Sequence, residues 1–315
     1  MNRATYSVFL RFLSLGAMLL LQGCSSALMD PKGQVGEEQK VLIITAFVLM
    51  LIVVIPVIVM TLLFAHRYRE GNDKATYTPD WAHSTAIEVV VWLIPCLIII
   101  VLGVLTWITS HSLDPMKPLE TDSKNQTLEV EAISLDWKWL FVYPEQQIAT
   151  VNELAIPANT PIRFHITAGS VMNSFWIPEL GSQIYAMAGM DSQLNLIADE
   201  KGEWQGRSTH YSGAGFAGMT FVTHSLSQED FKAWVSKVKG SSSKTLSFAD
   251  GYQELAKPSE NAPVQYYSDV SPNLYNNILN SFRKGPSDQG EYGQAGEGEN
   301  GEQGHGERVS AEAAE

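Results

Sequence analysis

The sequence predicts a two-helix membrane-spanning hairpin, then an all-β sandwich, then a short helical C-terminal arm. Three observations carry this. Two uncharged apolar runs, Val41–Ala65 and Val89–Thr109, stand in the N-terminal part of the chain. From Gln126 onwards, apolar and polar residues alternate in short runs divided by turn residues, and a period of two marks a half-buried strand. Beyond residue 226 the spacing becomes helical, with Phe231, Trp234, Val235 and Val238 on one face. The average composition conceals all of this. Over 315 residues, 45% hydrophobic with a mean hydropathy of −0.03, the apolar runs are offset by a polar tail.

The first element is an export signal. Arg3 and Arg11 lead into the apolar stretch Phe12–Leu21, which ends in Leu21-Gln22-Gly23-Cys24. A basic start, a short apolar core and a small residue at the cut are the parts of such a signal, and the core is shorter than the ~20 residues that span a bilayer. With a cysteine directly after Gly23, the segment resembles a bacterial lipoprotein signal. That resemblance implies removal of residues 1–23 and lipidation of Cys24. Gln22 departs from the pattern, because small residues are commoner there. The same residues also read as an ordinary membrane anchor with an incidental cysteine.

The two apolar runs come next. Val41–Ala65 covers 25 residues without a charge, about 37 Å as a helix against a hydrocarbon core of ~30 Å. Pro56 interrupts it, which membrane helices tolerate where they pack on neighbours. The second run holds Pro95 and Cys96, with Trp92 and Trp107 towards its ends, where interfacial aromatics gather. Arg67 and Arg69 follow the first run directly and place the connecting loop in the cytoplasm. The chain beyond Ser110 then faces the exterior. Glu88 precedes the second run at its cytoplasmic end. An acid there complements the helix dipole, or collects protons for a path in a partner.

The exterior domain follows. Thr127–Ile133 alternates, Asp136–Tyr143 is a dense aromatic run stopped by Pro144, and Ile162–Thr167 alternates again after the turn Pro157–Pro161. Further runs at Ser174–Ile177, Gln193–Ile197 and Gly218–Thr223 predict an antiparallel sandwich of about seven or eight strands. Helices are expected at Gln228–Val238, Phe248–Leu255 and Leu274–Phe282. The reading divides the chain at 1–23 (signal), 24–40 (exterior segment), 41–65 and 88–110 (membrane helices), 66–87 (cytoplasmic loop), 111–125 (linker), 126–226 (sandwich), 227–285 (arm) and 286–315 (tail). The tail carries seven glycines and eight acids against one arginine, a composition that predicts disorder. His305 within it is isolated.

Several functions are excluded on composition. A net charge of −13 without a basic cluster argues against nucleic acid. Two cysteines cannot build a disulfide scaffold or a multi-cysteine metal site. No phosphate-binding glycine loop or nucleophile elbow is present. His165, His210 and His224 have no carboxylate or cysteine at motif spacing, so no catalytic triad is supported and no catalytic residue is expected in this chain.

A lipoprotein-like start, a two-helix hairpin and an exterior sandwich together resemble subunit II of the haem–copper respiratory oxidases. In that family the sandwich is a cupredoxin. Its cytochrome c oxidase members hold a binuclear copper centre in a Val-x-His-Ser-Phe segment and a Cys-x-x-x-Cys-x-x-x-His-x-x-Met segment, thiolate and imidazole being the ligands that soft copper prefers. Here Val171-Met172-Asn173-Ser174-Phe175 puts Asn173 in place of the first histidine. Ser208, Ser212, Phe216 and Met219 keep the remaining spacing, and His210 stands where an acid lends its carbonyl. The ligand frame is present and the ligands are gone. With Ala27–Gly33, Asp136–Trp139, Val171–Pro178 and Gly181–Met190, this is similar to the quinol branch, the cytochrome bo-type ubiquinol oxidases.

The resemblance runs from Cys24 to about Gly285 and implies a non-redox structural subunit of a proton-pumping oxidase of ubiquinol. It implies no metal or other cofactor bound by this chain. Haems and copper belong to the partner subunit I, and smaller membrane subunits accompany it. Lipid is met through Cys24 and the two helices, in a bacterial inner membrane with the main domain in the periplasm. Glu88, upstream of Trp92 and Pro95, matches the family's acid at a proton entrance. Trp137 and Trp139 read as packing residues, as do Met187, Met190 and Met219, and Cys96 as a buried residue of the second helix. Two alternatives remain: a standalone lipoprotein with a cupredoxin-like binding or scaffold domain, and subunit II of a menaquinol oxidase.

Overall fold

The computed structural model describes residues 27–72, 74–76, 78, 80–119, 125–241 and 244–283. The expected signal, Cys24 and the acidic tail with His305 lie outside the described residues. A 3₁₀ turn, Ala27–Met29, leads into α1 (Gln34–Arg67), and α2 (Thr85–Ser112) returns. Both helices are long and apolar enough to cross a membrane. Each exceeds its predicted span. α1 begins within the expected exterior segment, because Gln34–Lys40 adds about two polar turns whose Val35 and Gly36 are buried against the sandwich. Only Val35 and Gly36 of α1 are buried, and no residue of α2 is. Cys96, expected to be buried, is exposed on the surface of the lone chain. A helix with apolar residues all round buries nothing until lipid or partner helices cover it.

The sandwich is built from β1 (Leu128–Leu135), β2 (Lys138–Tyr143), β3 (Ile148–Val151), β4 (Glu153–Pro157), β5 (Ile162–Ala168), β6 (Asn173–Trp176), β7 (Ile184–Ala186), β8 (Ser192–Leu196), β9 (Gly202–Ser208) and β10 (Thr220–Leu226). The arm adds α3 (Gln228–Ser241), β11 (Thr245–Leu246), α4 (Tyr252–Leu255), β12 (Gln265–Tyr267), β13 (Asp269–Val270) and α5 (Leu274–Arg283). One sheet runs β12-β3-β2-β1-β5-β8 and the other β4-β10-β9-β6-β7. The expected all-antiparallel pairing is corrected, because β1 pairs parallel with β5 and β4 parallel with β10. The strand number is also higher than expected. β3 and β4 follow one another through Asn152, which takes a left-handed φ of 57° and breaks one run into two strands on different sheets.

Asp136–Trp137 is a turn rather than strand. Leu135 pairs with Lys138, and Trp137 adopts φ 64°, a conformation rare for a bulky residue. The main core lies between the sheets around Trp139, Phe141, Phe164, Phe175 and Phe221. Their rings meet at centroid distances of 5.0–6.5 Å, the range of favourable edge and offset stacking. A second core forms on the opposite face of β1–β3, where Ile133, Leu135, Leu140, Val142 and Val151 pack against Tyr252, Leu255, Leu274, Tyr275, Ile278 and Leu279 of the arm. β1 therefore alternates only at its start, then is buried on both faces.

Candidate functional site

The N-terminal segment fixes the hairpin to the sandwich. The Lys32 amide donates to the Glu179 carbonyl at 2.7 Å, the Gly36 amide to the Leu180 carbonyl at 3.1 Å, and the Asp199 amide to the Lys32 carbonyl at 2.8 Å. Close approach demands glycine on both sides. A Cβ at Gly33 would run into the Ile197 carbonyl oxygen. One at Gly181, where φ is 142°, would come within 2.7 Å of Val35. From α1 the Gln39 amide donates to Ser182 Oγ at 2.5 Å. The neighbouring Gln183 then joins a polar group in which Thr209 Oγ1 lies 2.7 Å from Ser174 Oγ and 2.6 Å from Gln183 Oε1.

That group borders the corner the sequence singled out. Asn173 on β6 and Ser208 on β9 are both buried, and the Ser208 hydroxyl donates to Asn173 Oδ1. The Ser208 amide donates to the Met219 carbonyl at 3.1 Å, and the Met219 side chain is buried. Ser212 and Phe216 lie on the loop between, which a 3₁₀ turn at Phe216–Gly218 closes onto Met219. Among the described residues, nothing hydrogen-bonds the buried Asn173 Nδ2 or Ser212 Oγ. His210 is exposed and stands edge-on to Tyr185, with ring centroids 6.0 Å apart. The sequence positions are thus gathered in one corner, with the imidazole on its outside.

The donor set does not fit a copper pair. Two hydroxyls, a carboxamide and a phenyl ring supply neither thiolate nor imidazole. The amide NH₂ of Asn173 is a donor with no lone pair to offer a cation. A single thioether remains at Met219. Among the described residues, no group of three His, Cys, Asp or Glu side chains is arranged to hold a metal.

Trp137 governs this loop in a way the sequence reading missed. Its Nε1 donates to the Ser212 carbonyl at 3.0 Å, and its ring covers Gly213 and Gly215. The signal was available in the pair of glycines, which leave room for an indole. Trp139 is a core residue as expected, whereas Met190 is 51% exposed and packs little. A cluster of charges on the outer sheet was also missed. His165 lies within 3.0 Å of Asp191 and 3.2 Å of Glu129, residues 26 and 36 positions away in sequence. Only sheet register brings them together.

A membrane-spanning hairpin glycine-locked to a cupredoxin-like sandwich, with a ligand corner of hydroxyl, amide and phenyl groups, defines an oxidase-subunit-II type of protein. Residues 121–226 match the family model "Cytochrome C oxidase subunit II, periplasmic domain", and residues 241–285 match "COX Aromatic Rich Motif". The chain is 56% identical over 282 residues to cytochrome bo(3) ubiquinol oxidase subunit 2 of Pseudomonas aeruginosa, covering 90% of this chain and 84% of that one. It is 56% identical over 271 residues to ubiquinol oxidase subunit 2 of Acetobacter aceti, covering 86% and 87%. Quinol oxidase subunit 2 of Bacillus subtilis is 41% identical over 247 residues, covering 78% and 76%. The chain belongs to the family of subunit 2 of the cytochrome bo(3)-type ubiquinol oxidases.

Proposed function

We propose that this chain is the non-redox subunit of a membrane complex that oxidises ubiquinol, reduces oxygen to water and moves protons outwards. The supporting observation is the corner at Asn173, Ser208, Ser212, Phe216 and Met219, whose side chains keep the frame of a copper site and offer nothing to bind it with. An electron donor dissolved in the membrane needs no relay through an exterior domain. Haems and copper are then held by the partner subunit I, against which the uncovered faces of α1 and α2 pack together with smaller membrane subunits. Cys24 carries the lipid and fixes the N-terminus on the exterior side.

Glu88 takes the part of a proton entrance. It stands exposed in the first turn of α2, with its amide bonded to the Ser84 carbonyl at 2.9 Å. The Ser84 side chain makes no cap bond to the helix end where Glu88 stands. An exposed carboxylate at the mouth of a partner's channel raises the local supply of protons. Glu88→Ala is expected to slow oxygen consumption in a complex of normal haem content; full turnover in that complex contradicts the role. Purifying the complex through this chain tests the wider reading. Haem-bearing subunits are expected to accompany it, and a haem-free single chain would instead favour a standalone lipoprotein.

A further inference from the structure

The outer face of the first sheet carries ionisable side chains that the function above leaves unused. Across the parallel pair β1–β5, Glu129 lies beside Arg163 and Glu131 beside His165. The imidazole sits between two carboxylates, its Nδ1 3.0 Å from Asp191 and its Nε2 3.2 Å from Glu129. Arg163 donates to Glu129 at 2.9 Å. The arm closes over this group. The Tyr275 hydroxyl on α5 donates to Asp191 Oδ1 at 2.7 Å, and its ring stands edge-on to His165 at 6.3 Å. At the end of α5, Arg283 donates to the Gly189 carbonyl at 2.8 Å.

We propose that this cluster is a pH-sensitive latch on the C-terminal arm, holding α5 on the sheet while Glu131 and His165 carry protons and releasing it when both lose them. The charges can be followed directly. With both protonated, Glu129 and Asp191 are balanced by Arg163 and His165. With both deprotonated, three carboxylates face Arg163 alone, a change of two negative charges beneath a half-buried helix. Arg283 adds one positive charge in either state. Like charges at such spacing, partly shielded from water, repel.

The titrations fall in the right range. Burial pushes the Glu131 carboxyl up to about 7, with the His165 charge opposing and Asp191 reinforcing. His165 is held above its ordinary value, chiefly by its hydrogen bond to Asp191 and against the effect of burial. Asp191 is held below the usual carboxylate range despite its burial, by bonds from His165 and Tyr275, and stays charged throughout. A group whose pKa is raised on folding contributes stability that is complete below its ordinary pKa and lost as pH rises through the raised one. Docking is therefore firm in acid and weakens through about pH 7, set by Glu131 and reinforced by His165. This does not rest on the assignment of the complex.

The test is hydrogen exchange on the full chain in detergent at pH 6 and pH 8, corrected for the intrinsic pH dependence of exchange. Protection of residues 274–283 is expected to fall roughly tenfold between the two, the ratio that a shift from 4.5 to about 7 on Glu131 implies, while β1 and β2 stay protected. In Glu131→Gln, whose amide imitates the protonated acid, most of that fall is expected to vanish. Equal protection of wild-type α5 at both pH values overturns the latch, whatever the variant does. So does an undiminished fall in a Glu131→Gln chain whose strands remain protected.

Discussion

A Cβ added at Gly215 would come within 2.5 Å of the Trp137 ring, whereas one at Gly240 would meet nothing within 4 Å. The two glycines therefore respond oppositely to the same change. Gly215→Ala is expected to push the indole off the loop and cost about 1–3 kcal/mol. Gly240→Ala, in the last turn of α3, is expected to gain about 0.5–1 kcal/mol from the restricted unfolded chain. Thermal unfolding of both variants in detergent checks the pair, and equal shifts would remove the role given to Trp137. At this scale the sequence is legible where a known motif can be laid on it. Asn173, Ser208, Ser212, Phe216 and Met219 come from the resemblance to the oxidase copper motif, whose intervals they keep. The sequence is silent on His165 and Asp191, because a contact made across neighbouring strands leaves no local pattern.

Tyr143 ties two elements together. Its buried hydroxyl donates to the Ala155 carbonyl and accepts from the Ala155 amide, both at 2.9 Å, joining β2 to β4 across the sandwich. Tyr143→Phe keeps the ring among Phe231 and Trp234 and strands both backbone groups. An unmade buried hydrogen bond costs about 1–3 kcal/mol, so a drop of that size in unfolding free energy is expected, with the fold retained. No drop would mean that the Tyr143 hydroxyl contributes nothing to holding β4. The elements themselves were uneven to read. Uncharged runs locate both apolar helices, though the polar start of α1 at Gln34–Lys40 falls in the expected exterior segment because lipid-based reasoning stops where charges begin. β5 was read from alternation. Of the aromatic run Asp136–Tyr143 only Lys138–Tyr143 is strand, and the Asp136–Trp137 turn contains neither glycine nor proline to mark it. The arm's contribution of β12 to the first sheet was invisible, since the partner β3 lies more than a hundred residues away.

Taken whole, the molecule has two surfaces that its own chain treats differently. The outer face of β1–β3 is covered by the arm, and Lys138, itself buried, pins it by donating to the Lys257 carbonyl at 2.7 Å and to Ser259 at 2.6 Å. Ending the chain after residue 241 is expected to expose Ile133, Leu140, Val142 and Val151, seen as dye binding to apolar surface and a lower unfolding temperature. A shortened chain as stable as the full one would mean that the arm is only appended. Beyond Val35 and Gly36, no described residue buries the apolar faces of the hairpin, which leaves them to lipid and partner subunits. The general plan of hairpin, sandwich and arm was legible because hydropathy and periodicity are local. The mixed strand pairing, the second core and the ionic cluster were not, since each arises only after the chain has crossed over itself.

Electrons are expected to reach the complex without passing through this domain. The most direct measurement of this is oxygen consumption by the complex purified through this chain, supplied in turn with ubiquinol and with reduced soluble cytochrome c. Rapid turnover with ubiquinol and none with cytochrome c is the expected result. Turnover driven by cytochrome c would be the contrary result, because electrons would then have to cross a corner at Asn173, Ser208 and Met219 that offers a copper pair neither thiolate nor imidazole.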